Sequence, residues 1–218
     1  MLFWKRIPFI LLFFVGSHFS EGQVEELNNS GKSLKYIGIV VGKASQKTFP
    51  FTDDEYVYSA THIKLQYNQK LWDWGSWDAH VLVEPGFYKV DHQLLNLFFI
   101  TPEDNNYLER RERFLKPRTF NEYALNIGLR VSRNIFNHLD VYGLASSGPM
   151  YSEQSTERLK GGFAFSNVFG VGVQYLFAKN WRWDARVILR HTSNAGLRWP
   201  NSGHNSFGGE TGILYVFN

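Results

Sequence analysis

His191 and Ser193 stand two residues apart in the run His191-Thr192-Ser193-Asn194-Ala195-Gly196, and Pro200-Asn201-Ser202-Gly203 follows shortly after. On a β-strand, residues i and i+2 project from the same face. An imidazole and a hydroxyl would therefore lie side by side, as a general base beside a nucleophile, the pairing that acyl transfer through a covalent intermediate requires. A plainer reading stands next to it. A histidine near a strand end often serves only as an interfacial hydrogen-bonding group, and an Asn-Gly-Pro cluster after a strand is often an ordinary loop. The face that the two side chains share decides which reading to prefer.

The strand that must carry them spans about residues 181–193. Trp183, Ala185, Val187, Leu189, His191 and Ser193 fall on one face, and Arg182, Asp184, Arg186, Arg190 and Thr192 on the other. Three arginines facing hydrocarbon would cost roughly 2–4 kcal/mol each near a bilayer midplane. In a membrane-spanning strand they must point into an enclosed interior, paired with Asp184 or Glu210. His191 and Ser193 then face lipid. A polar pair in that position is expensive, and function is the usual reason for it.

Seven further strand-like stretches are expected, at 34–44, 57–68, 77–88, 121–133, 138–147, 164–178 and 206–217. Tyr123, Leu125, Ile127, Leu129 and Val131 alternate with Ala124, Asn126, Gly128, Arg130 and Ser132. Phe165, Phe169, Val171, Val173, Tyr175 and Phe177 alternate with Ser166, Gly170, Gly172 and Gln174. The first strand is weaker, with Ile37, Ile39 and Val41 set against Leu34, Tyr36 and Val40. Alternation alone does not separate a soluble barrel from a membrane barrel, but connection lengths do. Short links at Asn68 to Trp77, Asn134 to Asn137 and Lys179-Asn180 alternate with long ones at 45–56, 89–120, 148–163 and 194–205. Short turns at one end and long loops at the other are the pattern of outer-membrane barrels. The fold class expected is all-β, an eight-stranded antiparallel transmembrane outer-membrane β-barrel over 34–218. Within the long third connection, Leu94 to Ile100 could lengthen the barrel wall. Trp72, Trp74 and Trp77 read as an interfacial belt. Ile213, Tyr215 and Phe217 form a terminal aromatic strand, with Asn218 after it.

Composition bounds the rest. Lys5 and Arg6 followed by the apolar run Ile7 to Val15 read as a signal peptide over about 1–20, with a polar leader at 21–33. No later segment is apolar for long enough to form a membrane helix. Loss of Lys5 and Arg6 would bring the formal charge from +3 to +1, which argues against nucleic acid as a partner. With no cysteine there is no disulfide, thiolate metal site or cysteine nucleophile. His62, His80 and His92 lack ligand-like spacing, so no metal or other cofactor is expected. An aromatic share of 17% with 19 glycines suits a barrel better than a helical bundle.

The pattern His-x-Ser-Asn-Ala-Gly, four residues, then Pro-Asn-x-Gly resembles the lipid A 3-O-deacylases of the outer membrane, the PagL family of acyloxyacyl hydrolases. The sharp match covers about residues 189–205. The resemblance implies an eight-stranded barrel with a serine-esterase site on its outer wall, removing the 3-position acyl chain of lipid A in the outer leaflet. It implies Ser193 as nucleophile, His191 as general base, and Gly196 and Asn201 at the oxyanion hole, with Asn194 orienting the loop. The departure is at the third triad position, where the family pattern has an acid and this chain has Asn205. An amide oxygen can accept the imidazole N–H and fix its tautomer, but it brings no charge to the imidazolium, so slower turnover is expected. Glu210 is the alternative acid. Strand parity puts it in the lumen, and only a bulge would bring it to His191. Asn205 is preferred. Two other readings stay open, a non-catalytic structural or adhesive barrel and an outer-membrane acyltransferase. A homodimer is also left open, since lipid-facing and subunit-facing apolar surfaces read alike.

Overall fold

The computed structural model describes residues 34–217 other than Thr52. The expected signal peptide and polar leader lie outside the described residues. Eight strands alternate along the chain, β1 (Lys35–Ser45), β2 (Tyr56–Trp74), β3 (Trp77–Leu94), β4 (Arg118–Phe136), β5 (Leu139–Ser152), β6 (Gly162–Ala178), β7 (Trp181–Ser193) and β8 (His204–Phe217). Each pairs antiparallel with its sequence neighbours, and β8 pairs with β1 to close the barrel. Among the described residues, closure gives every strand a hydrogen-bonded neighbour on both sides. Among the described residues no helix is long and apolar enough to cross a membrane.

The wall is sorted by parity. Ile37, Ile39 and Val41 point outward, as do Tyr123, Leu125, Ile127, Leu129 and Val131 on β4 and Phe169, Val171, Tyr175 and Phe177 on β6. Inward on the same strands lie Tyr36, Val40, Asn126, Arg130, Ser132, Ser166 and Gln174, all buried. Large apolar side chains outside and polar ones inside is the arrangement a bilayer selects.

Eight strands leave a lumen that side chains fill, and here charge fills its middle. Arg186 bonds Glu84 at 2.5 Å and also Glu210; Lys64 reaches Glu210 at 2.6 Å, and His62 contacts the same carboxylate at 2.7 Å. Nearer the loop end, Arg190 bonds Glu122 at 3.0 Å and Tyr58 at 3.1 Å. Asp184 accepts from Tyr142 and Gln174, and Arg182 pairs with Asp140. The arginines of β7 thus point inward, and Glu210 is among their partners.

Several strands extend beyond the expected ends. β2 runs to Trp74 and β3 to Leu94, because their ladders continue through stretches whose polar side chains interrupt the apolar alternation. At the short turn Lys70 joins Asp78 at 2.9 Å across the hairpin. The expectation that Leu94 to Ile100 lengthens the wall is corrected: only Leu94 belongs to a strand. Asn96 accepts the Phe98 N–H at 3.0 Å and caps a 3-10 turn over Leu97–Phe99, which swings the chain inward. Helix α1 (Tyr107–Leu115) follows. Ile100 and Phe114 pack with Tyr56, Tyr58, Leu94 and Leu159 into an apolar cap over the loop end of the lumen.

Candidate active site

β7 carries His191 and Ser193 outward at its loop end, both half-buried. The β7–β8 register runs without a break from Trp181↔Tyr215 to Thr192↔His204, and it sets His191 directly opposite Asn205. Their side chains meet: His191 Nδ1 lies 2.7 Å from Asn205 Oδ1. With Nδ1–H donating to this oxygen, Nε2 carries the free lone pair and is available to accept a proton. Among the described residues the Ser193 hydroxyl makes no hydrogen bond. It projects from the same face one pleat repeat along, roughly 7 Å by strand rise.

The loop from Asn194 to Gly203 joins β7 to β8 beside this pair. Asn194 is fully buried, donating its side-chain amide to the Arg198 carbonyl at 2.7 Å. Its backbone N–H donates to Asn201 Oδ1 at 2.6 Å. That bond fixes the orientation of the Asn201 amide, because only its oxygen can accept, and leaves the Asn201 NH2 as an uncommitted donor. Leu197 N–H returns to the Asn194 carbonyl at 3.0 Å, and the turn it closes holds Ala195 and Gly196 at φ of 54° and 79°. Left-handed backbone of this kind suits glycine. Gly203, at φ 70°, comes closer still: a Cβ there would lie 3.2 Å from His191 Cε1 and 3.4 Å from Ser193 Cβ. A Cβ there would also lie 2.4 Å from the Thr192 carbonyl oxygen, so the backbone at this position passes too close to the His191 and Ser193 side chains to carry one.

His191, Ser193 and Asn205, with Asn194, Gly196 and Asn201, are thus carried by the end of β7, the start of β8 and the loop joining them. Glu210 is not with them. It lies on the inner face of β8, committed to Lys64, Arg186 and His62, and no bulge in the β7–β8 ladder turns it outward. His62, His80 and His92 are buried inside the barrel. Among the described residues no group of histidine and carboxylate side chains is arranged to hold a metal ion.

Two neighbours were not singled out from the sequence. Asn167 on β6 pairs with His191 from the side away from Asn205, and Ser147 on β5 donates to Asn167 Oδ1 at 2.7 Å. Ser147, Asn167, His191 and Asn205 thus form a polar row across four strands of an otherwise apolar wall. An asparagine at outward parity between Phe165 and Phe169 was the available signal. Gly203 is singled out as the last residue of the Pro-Asn-x-Gly motif, but its left-handed φ of 70° and its approach to His191 are not. On the turn side of the row the wall is recessed into a groove of about 490 Å³, floored by Gly143 and Ala145 and walled by Leu129, Phe169, Val187 and Leu189.

A closed eight-strand barrel with an apolar belt and a charged interior is an outer-membrane β-barrel protein. A family model described as lipid A 3-O-deacylase (PagL) matches residues 61–213, and the chain belongs to that family. Membership carries the coarse function of an outer-membrane deacylase of lipid A. Among solved structures the chain is similar to the outer membrane enzyme PagL, with a TM-score of 0.53 at 13% identity over 84% of this chain and 99% of that one. It is also similar to OprG from Pseudomonas aeruginosa, at 0.47 and 10% over 85% and 96%. Ail from Yersinia pestis follows at 0.43 and 16% over 85% and 97%. At 13% identity the likeness to the PagL structure shows the fold alone. No curated protein sequence matches the chain.

Proposed function

We propose that the protein is a serine esterase that hydrolyses the 3-position ester of lipid A, with Ser193 as nucleophile and His191 as base. The observation that carries this reading is the His191–Asn205 contact of 2.7 Å on the lipid-facing wall, beside the outward hydroxyl of Ser193. Ser193 Oγ attacks the ester carbonyl carbon while His191 Nε2 takes the hydroxyl proton. The Asn205 oxygen holds the imidazole in the tautomer that leaves Nε2 free. The uncommitted Asn201 NH2 and the exposed backbone N–H of Gly196 are the donors offered to the tetrahedral oxyanion. Collapse expels the sugar alkoxide, which takes the proton from the imidazolium. Water activated by the same base then releases the fatty acid and restores the serine.

The surroundings suit such a substrate. The apolar groove below the polar row offers an acyl chain a bed parallel to the strands, and the loops above face the headgroup region. Hydrolysis is tested by incubating purified lipid A with the protein and with Ser193→Ala. A free fatty acid released only by the native chain supports the reading, and equal release by both contradicts the mechanism. Asn205 in place of an acid favours one further reading, a barrel that keeps the motif with little or no turnover. Transfer of the chain to an acceptor in place of water would identify an acyltransferase.

A further inference from the structure

On the loop side of Ser193 the outer wall opens into a recess of about 520 Å³, bordered by Arg113, Ser155, Gly162, Phe163, Leu197 and Arg198. Phe163 is one pleat repeat beyond Phe165, the residue paired with Ser193, so the recess begins about 7 Å from the nucleophile along the wall. Two guanidinium groups face it. Arg198 donates to the Phe163 carbonyl at 3.0 Å, and its head rests against Gly162, where a Cβ would lie 2.9 Å from Nη2. Gly162 holds φ 95°, a conformation that favours glycine, so this seat for the guanidinium is built into the start of β6. One bond to a carbonyl leaves most of the five Arg198 donors uncommitted. Arg113, in the last turn of α1, is exposed and has no carboxylate partner among the described residues. Lys160, on the neighbouring loop, likewise lacks one.

The only carboxylate at the recess is Glu153 among its described lining residues, and its oxygens are already engaged by Asn121 and Tyr123. Those hydrogen bonds, the Asn121 side chain first, hold its carboxyl below its usual range. Positive charge therefore exceeds negative at the recess, and the free donors are the forked ones that match phosphate. Along the wall the order is an apolar groove, the Ser193–His191 row, then the cationic recess. A glycolipid lying along it would set its acyl chain, ester and sugar substituents in that same order.

We propose that Arg113 and Arg198 form a binding site for a phosphate monoester on the sugar headgroup of the substrate, which sets the position of the scissile ester at Ser193. This inference rests on the lipid A reading. The span from nucleophile to recess is comparable with one sugar ring bearing both an ester and a phosphate.

The test compares lipid A bearing its phosphates with the same lipid A chemically dephosphorylated, using the full chain in detergent micelles. The native protein should show a KM about tenfold lower for the phosphorylated form, the scale of one charge-assisted hydrogen-bonding pair. In Arg113→Gln/Arg198→Gln that ratio should fall to near one, and Arg113→Lys should keep most of it. Because Arg198 also braces the loop, Arg113→Gln alone is read beside the double variant and should lower the ratio in the same direction. Equal KM values for the two lipids in the native protein, or an undiminished ratio in both variants, would overturn the site. Binding separates this from the esterase reading. Ser193→Ala protein should co-sediment preferentially with phosphatidylcholine vesicles containing phosphorylated lipid A, and the arginine variants in that background should lose the preference. If native protein releases no fatty acid yet the preference is seen, the esterase reading fails and the phosphate site stands. Inorganic phosphate should weaken vesicle binding by competition; its binding without any preference between the two lipids would mark a free-ion site and contradict the proposal.

Discussion

At the scale of single residues, the site turns on what Asn205 supplies to His191. Its oxygen orients the ring at 2.7 Å, but a neutral amide gives no charge stabilisation when the ring becomes imidazolium. Asn205→Glu should therefore raise kcat on the order of tenfold, about one charge-assisted increment over a neutral hydrogen bond. A variant with unchanged kcat would show that orientation alone is what His191 needs from this position. Asn205→Leu, which removes the acceptor, should depress kcat, and fatty-acid release at a fixed lipid A concentration measures both variants on one scale. Glu210 has no part in this exchange. Its bonds to Lys64 and Arg186 belong to the lumen.

Among the elements, the end of β7 and the start of β8 were legible in outline. Parity alone put Arg186 and Arg190 inside and His191 and Ser193 outside, because a two-residue period leaves no other face for three arginines. The register that sets Asn205 opposite His191 was not legible, since it depends on where the 194–203 loop returns to the sheet. Asn167 and Ser147 were missed for a related reason: they reach His191 by lateral pairing, which a scan along one strand does not reveal. The inward turn at 97–99 was missed because the apolar run Leu94 to Ile100 resembles wall, and the helix at 107–115 because its charged sequence carries one buried residue, Phe114, and no apolar stripe. Of that run, Leu94, Phe99 and Ile100 join the cap around Phe114, while Leu95, Leu97 and Phe98 are exposed. The loop carries its own prediction. Gly203→Ala forces a Cβ to within 2.4 Å of the Thr192 carbonyl oxygen, beside His191 and Ser193, at a left-handed position, costing about 1–3 kcal/mol of local strain. Fatty-acid release should fall at least tenfold while the barrel still migrates as a folded species before heating on gels. Native-like release from that variant would show that the loop yields without disturbing the pair.

For the whole molecule, the barrel separates two environments through one wall, and each has a testable consequence. Inside, Arg186 holds Glu84 and Glu210 together, so Arg186→Met leaves two buried carboxylates undercompensated and should destabilise the fold by about 3–5 kcal/mol. Urea unfolding in detergent followed by tryptophan fluorescence reads that loss. Outside, the groove floored by Gly143 and Ala145 should be blocked by Ala145→Trp, which should raise KM for long acyl chains more than for short ones in a chain-length series. The most direct test of the central claim is mass spectrometry of lipid A from cells expressing the native protein beside cells expressing Ser193→Ala, with both proteins folded in the outer membrane. Loss of one ester-linked acyl chain from the 3-position in the native sample only is the expected result. An unaltered lipid A in both samples, or the same loss in both, would contradict a Ser193-dependent deacylase.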